Sequence, residues 1–319
     1  METTTAIDAI RNAETRIRPF VRETYLEASP YLSKTIGLDV RLKLENLQHT
    51  GSFKLRGALN KILSLGSAAA TTRVVTASSG NHGAAVAFAL KQVGGEGIVF
   101  VPENASEAKV AAIRRLGAEV RFHGTDSAVT EGHARAFAEA EGGVYVPPYN
   151  DIDVMAGQGT IGAEILRQLP DVRTVIASVG GGGLIAGIAT YLKAAAPQVK
   201  IVGCSPQASR VMAASVAAGR VLDLDSDDTL SDGTAGGVEP DTITFAPCRD
   251  LVDHWIDVSE AEIAQAMKLF VEHHHMLCEG AAGVAIAAAI KAERGLIEGP
   301  VAIVVCGGNV SIPVLKGIL

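Results

Sequence analysis

From about residue 73 onward, short apolar runs alternate with longer stretches in which apolar residues recur at helical spacing. Runs at 74–77, 98–101, 120–123 and 144–147 predict strands, and Ala-rich stretches at 81–92, 106–116 and 128–141 predict the helices between them. A second series follows: a helix over 157–169, a strand over 174–179 and a helix opening at Leu184. Further strands are expected at 199–204, 251–258 and 301–305, with helices at 260–275 and 281–292. Strand, helix, strand in this rhythm predicts an α/β fold of open, twisted, mostly parallel sheets flanked by helices. Residues up to Lys54 have no strand partner nearby in sequence and are expected to join the second series. The expectation is a two-lobed chain, with 1–68 and 150–319 as a large lobe and 73–148 as a small mobile one. In such sheets ligands bind beyond the carboxyl ends of the strands.

Composition narrows the function classes. The chain has 319 residues, 48% hydrophobic and 20% charged, ample for a buried core. A formal charge of −7 argues against nucleic acid or an anionic membrane as partner. No basic segment followed by an apolar run opens the sequence, and no uncharged apolar stretch is long enough to span a bilayer. Cys204, Cys248, Cys278 and Cys306 are scattered without CxxC pairing, so neither a zinc knuckle nor a disulfide framework is expected, and a reducing cytoplasm is. His273, His274 and His275 cannot all face one point on a helix, which favours a solvated helix end over a metal site.

The chemistry-bearing residues fall in turns. Lys54 follows Gly51, Ser52 and Phe53 and precedes Leu55, Ala58, Leu59, Ile62 and Leu63, the apolar face of a helix that Gly66 stops. A lysine in the first helical turn meets unpaired N–H groups and the positive dipole end, and burial there lowers its proton affinity and frees the amine as a nucleophile. Gly180, Gly181, Gly182 and Gly183 follow a strand and open a helix, a backbone cradle suited to phosphate. The dinucleotide fingerprint fits this loop in letters, but Ser205 and Pro206 stand after the next strand where a ribose-binding carboxylate belongs. A nicotinamide oxidoreductase is therefore the alternative of another class. Ser78, Ser79, Gly80, Asn81 and His82 make a second polar turn, suited to a small carboxylate, and Cys306 to Asn309 make a third.

Together these motifs resemble the fold-type II pyridoxal-phosphate enzymes, which are tryptophan synthase β-like in fold, and within them the threonine/serine dehydratase and serine racemase group. The resemblance also takes in Glu45-Asn46, Pro148-Tyr149-Asn150, Gly157-Gln158-Gly159-Thr160, Asp232-Gly233 and Glu279-Gly280-Ala281-Ala282-Gly283, in the family's order and spacing. It implies pyridoxal 5'-phosphate joined to Lys54 as a Schiff base and flanked by Phe53. It implies a phosphate held by Gly180, Gly181, Gly182, Gly183 and the N–H of Leu184. Asn81 would donate to the cofactor's phenolic oxygen, and Ser78, Ser79 and the amides to His82 would grip the substrate carboxylate. Cys306 stands where the family usually has a serine facing the pyridine nitrogen, and Gly233 and Thr234 lie where the substrate side chain is recognised.

The implied reaction is β-elimination of water from a β-hydroxy amino acid of threonine or serine type, giving a 2-oxo acid and ammonia. Lys54 acts as base. Racemisation, with Ser79 as the second acid/base, is the rival within the family. The glycine-rich stretch 232–237 also admits a bulkier substrate, such as a phenylserine or a hydroxylated diamino acid from hydroxyectoine breakdown. Racemase-like members build a divalent-cation site where this chain has Ser205 and Val211, so no metal is expected. The partner is expected to be a small amino acid, the assembly a homodimer or homotetramer, and the regulatory block of biosynthetic threonine deaminases is not expected.

Overall fold

The computed structural model describes residues 3–319. Its strands, in chain order, are β1 (Leu26–Ala28), β2 (Val40–Leu44), β3 (Val74–Ala77), β4 (Gly97–Val101) and β5 (Glu119–Phe122), then β6 (Val144–Tyr145), β7 (Thr174–Ser178), β8 (Lys200–Pro206), β9 (His254–Val258) and β10 (Val301–Val305). They form a six-stranded sheet in the order β1-β2-β10-β7-β8-β9 and a four-stranded sheet in the order β5-β4-β3-β6. Every pairing is parallel except β1 with β2. β2 pairs with β10, Val40 opposite Val301, which places the N-terminal segment in the six-stranded sheet. The central strands β7 and β10 are buried along their whole length and correspondingly apolar, as parallel strands covered on both faces must be.

Several elements differ from the sequence expectation. β9 begins at His254 because residues 245–251 coil into a short helix, so the apolar Leu251 and Val252 end a helix instead of opening a strand. The helix expected over 157–169 starts earlier, at Ile152, where Asp151 caps the amides of Asp153 and Val154. The helices Pro30–Ile36 and Ile312–Ile318, too short to show a period, were not expected at all. Of the histidines at the end of the helix Glu260–His274, His273 and His275 are exposed, as expected, and His274 is half-buried. His273 stacks on Tyr31 with ring centroids 3.6 Å apart, and His274 Nε2 lies 3.0 Å from Ser29 Oγ.

Two features fix the helix Lys54–Ser64 that begins at the candidate lysine. Its Gly57 crosses Gly157 of the helix Ile152–Gln168 so closely that a Cβ on Gly157 would lie 2.5 Å from the Arg56 carbonyl oxygen. The second is a buried charge cluster. Arg56 donates to Glu45 through Nε and Nη2, and to Glu164 through Nη1 and Nη2, each at 2.8 Å. Lys43 reaches Glu164 at 2.6 Å and the Thr24 carbonyl at 2.8 Å. Burial alone would raise the Glu164 carboxyl, but the Arg56 guanidinium and the Lys43 ammonium outweigh it and hold it down at about 2. The cluster ties the Lys54 helix to β2 and to the helix Ile152–Gln168, and every member is fully buried.

Candidate active site

The turn before Lys54 is laced to the segment after β10. Phe53 N–H donates to the Cys306 carbonyl at 3.0 Å, Gly308 N–H to the Gly51 carbonyl at 2.9 Å, and Asn309 Nδ2 to the Thr50 carbonyl at 2.8 Å. The Lys54 ε-amine donates to the carbonyl oxygen of Pro148 at 2.8 Å. Burial pushes this amine down to about 8, against the opposing field of Glu279. Phe53 is the half-buried residue before it, at the helix cap.

Beyond β7 the four glycines lead into the helix Gly183–Ala195, capped by Gly182 in the left-handed region at φ +85°. Tyr149 packs directly where a Cβ on Gly181 would stand, and the Thr234 Cα lies 2.9 Å from the Cβ position of Gly180. Thr244 Oγ1 donates to the Gly181 carbonyl at 2.6 Å, turning that oxygen aside. None of the amides from Gly180 to Leu184 donates to a protein acceptor among the described residues. Unpaired amides gathered at a helix N-terminus are what a phosphate needs, so the cradle fits the phosphate of the cofactor the sequence implies.

The Ser78 turn follows β3 and opens the helix Asn81–Val93, whose cap residue Gly80 has no side chain to occupy its first amides. Ser78 Oγ accepts from the Gly80 N–H at 3.2 Å, while the Ser79 hydroxyl has no protein partner among the described residues. His82 is turned inward, its Nε2 lying 2.9 Å from the Val146 carbonyl oxygen. Burial, with the charge of Lys54, lowers its imidazole to about 3, so it is neutral. Its Nδ1 is buried without a hydrogen-bond partner among the described residues. Asn81 is engaged by two groups that no local pattern indicated. Its Nδ2 lies 2.9 Å from each carboxylate oxygen of Glu279, and its Oδ1 accepts from Asn309 Nδ2 at 2.7 Å.

Cys306 is buried, its sulfur 3.6 Å from Ser178 Oγ, and burial raises the thiol far above its ordinary value, so it is uncharged. Thr234 is held by Ser231, hydroxyl to hydroxyl at 2.6 Å, and the Cβ position of Gly233 lies 3.6 Å from Glu279 Oε1. Glu279, Asn309, Asp232 and Lys109 line a cavity of about 350 Å³. Lys109 pairs with Asp232 at 2.8 Å and Arg135 with Glu239 at 2.9 Å, so helices beside the four-stranded sheet touch the loop that carries Gly233. Ser205 points its hydroxyl at the Val179 carbonyl at 3.4 Å, and Val211 is buried. Glu279, Asn309, Tyr149 and the Pro148 carbonyl are the site groups to which sequence reasoning gave no role. Their only signal was membership of the family's short motifs.

A family model described as "Pyridoxal-phosphate dependent enzyme" matches residues 17–307. The chain is 40% identical over 307 residues to an L-threonine ammonia-lyase of Geobacter sulfurreducens, covering 96% of this chain and 76% of that protein. It is 38% identical to the catabolic L-threonine dehydratase TdcB of Escherichia coli, covering 96% and 94%. Among solved structures, maize serine racemase superposes with a TM-score of 0.91 at 34% identity, covering 98% of this chain and 95% of that one. Threonine deaminase isoform 2 from Solanum lycopersicum gives 0.92 at 33% identity, covering 99% and 92%. These matches bear out the fold class and the cofactor expected from the sequence, and with them the chain belongs to the pyridoxal-phosphate dependent enzyme family.

Proposed function

We propose that this protein is an ammonia-lyase that removes water from a β-hydroxy amino acid of threonine or serine type and releases a 2-oxo acid and ammonia. The observation that carries the reading is the Lys54 amine, driven toward neutrality by burial and bonded only to a carbonyl oxygen. A lysine in that state is fit both to join the cofactor and to accept a proton from carbon. The relatives named threonine ammonia-lyase and threonine dehydratase support the reaction type.

Bound at this site, pyridoxal phosphate supplies the electron sink for breaking the Cα–H bond. The chain's residues do the rest. The amides from Gly180 to Leu184 would hold the phosphate, and the Ser78 and Ser79 hydroxyls with the free amides of the Asn81 helix would hold the substrate carboxylate. Lys54 Nζ would take the α-proton. The uncharged Cys306 thiol would leave a ring nitrogen beside it without a proton donor of carboxylic-acid strength, which favours loss of the β-hydroxyl over transamination. Residues 73–148 would act as the small lobe that closes over the substrate, with Lys109 and Arg135 as its contacts to the opposite loop.

Racemisation is a second reading, favoured by the unpartnered Ser79 hydroxyl. One preparation of Ser79→Ala separates the two. L-substrate dehydration that survives while D-substrate use collapses assigns Ser79 to proton exchange, and equal losses leave it a binding group. The ammonia-lyase reading is tested by 2-oxo acid release over a panel of β-hydroxy amino acids, both enantiomers and both β-epimers. A yellow holoenzyme that yields no 2-oxo acid from any of them would overturn it.

A further inference from the structure

We propose that Glu279 is a positioning residue for the cofactor that acts through Asn81. Together with Asn309 it fixes the Asn81 side-chain amide so that an N–H, not a carbonyl, is the end left for a bound ring. The proposal rests on the reading of this site as the cofactor's.

Glu279 occupies the cap position of the helix Gly280–Lys291, yet its side chain makes no hydrogen bond to that helix. Its carboxylate instead receives Asn81 Nδ2 at 2.9 Å on both oxygens and the Asn309 backbone N–H at 3.2 Å on Oε2. It lies over Gly307, where a Cβ would stand 2.5 Å from the carboxyl carbon. An ionised carboxylate only accepts hydrogen bonds, so it selects the amide nitrogen of Asn81. The other end is read by Asn309 Nδ2, which is itself committed as a donor to the Thr50 carbonyl at 2.8 Å. Turning the Asn81 amide over would set an oxygen against two carboxylate oxygens and an NH2 against an NH2. Only one orientation satisfies both neighbours, and its Nδ2 has a second hydrogen to offer. The charged and titratable groups around the carboxylate are Asp232 on the glycine-rich loop, Lys109 on the helix Glu107–Arg115, Lys54, and the thiols of Cys278 and Cys306. Burial, reinforced by Asp232, raises the carboxyl to about 7. Protonation would remove the charge that strengthens this bond while leaving one carboxyl oxygen to accept the Asn81 N–H.

The test is a double-mutant cycle on cofactor binding. Glu279→Gln, Asn81→Ala and the double variant are stripped and titrated with pyridoxal phosphate, reading the dissociation constant and the visible absorption band. Glu279→Gln is expected to weaken retention on the order of tenfold and to shift the band, because a charge-assisted hydrogen bond is lost. In the Asn81→Ala background the same substitution is expected to change neither quantity. Equal effects in both backgrounds, or a Glu279→Gln protein with wild-type retention and spectrum, would overturn the proposal. If Glu279→Gln does not fold, Asn309→Ala removes the other anchor and enters the same cycle with the same two outcomes. The readout is binding, so an active-site lysine that binds cofactor without releasing a 2-oxo acid sinks the ammonia-lyase reading and leaves this result intact.

Discussion

Lys54 donates its ε-amine to the Pro148 carbonyl at 2.8 Å and has no carboxylate within ion-pair distance among the described residues. A carbonyl stabilises the ammonium less than a carboxylate would, and burial lowers the amine from 10.5 to about 8. Capture of pyridoxal phosphate by the cofactor-free protein should therefore rise about tenfold per pH unit below that value and level off above it. Stopped-flow absorbance between pH 6 and 10 reads this directly, and a rate still climbing at pH 10 would mean an unperturbed lysine. The sign for stability follows. With the folded value below the unfolded one, the unfolded chain binds more protons between about 8 and 10.5, and Lys54's contribution to stability rises with pH over that window.

Arg56 sits two positions beyond Lys54 with its guanidinium shared between Glu45 and Glu164. Arg56→Met leaves the buried Glu45 carboxylate without a cation and Glu164 with only Lys43 and Arg18, which should cost about 3–5 kcal/mol. Urea midpoints at constant slope measure it. A loss under 1 kcal/mol would show that Lys43 and Arg18 together carry Glu164 without Arg56.

How far the sequence revealed this arrangement depends on the range of each interaction. The glycine cradle, the turn lysine and the Ser78 turn are local: their meaning lies within five or six residues, and hydrophobic period placed the first and last at strand ends and the lysine at a helix start. Glu279 and Asn81 stand 198 positions apart, and nothing in either neighbourhood indicates that they meet. The charges of Arg56, Glu45, Lys43 and Glu164 would each be read as a solvated face, because single-residue polarity carries no information about partners. Leu251 and Val252 misled for the opposite reason: apolar residues at the end of a short helix look the same as the start of a strand.

Gly181 is a position where a side chain has no room, since the Tyr149 ring already fills the Cβ direction. Gly181→Ala should displace either the cradle or the ring and weaken cofactor retention, with little global unfolding. Trimming the ring in Gly181→Ala/Tyr149→Ala should recover part of that affinity. The comparison is of cofactor dissociation constants among the single and double variants. Additive losses would show that Tyr149 does not support the cradle through this contact.

Lys109 and Asp232 join opposite sides of the cavity at 2.8 Å, with side chains 38% and 63% exposed. An ion pair so open to water contributes about 0–1 kcal/mol and is screened by salt, so its removal should hardly move the melting temperature. Its position is what matters, because it spans from the helix Glu107–Arg115 to the loop that carries Gly233 and lines the same cavity as Glu279. If the small lobe closes over the substrate, Lys109→Ala should raise KM several-fold while kcat falls less, and wild-type KM should rise with ionic strength. The variant's KM should be insensitive to salt, since the interaction that salt screens is already gone. Asp232→Asn should reproduce the same pattern. Two variants with wild-type KM and unchanged salt dependence would show that the pair is a surface contact with no part in closure.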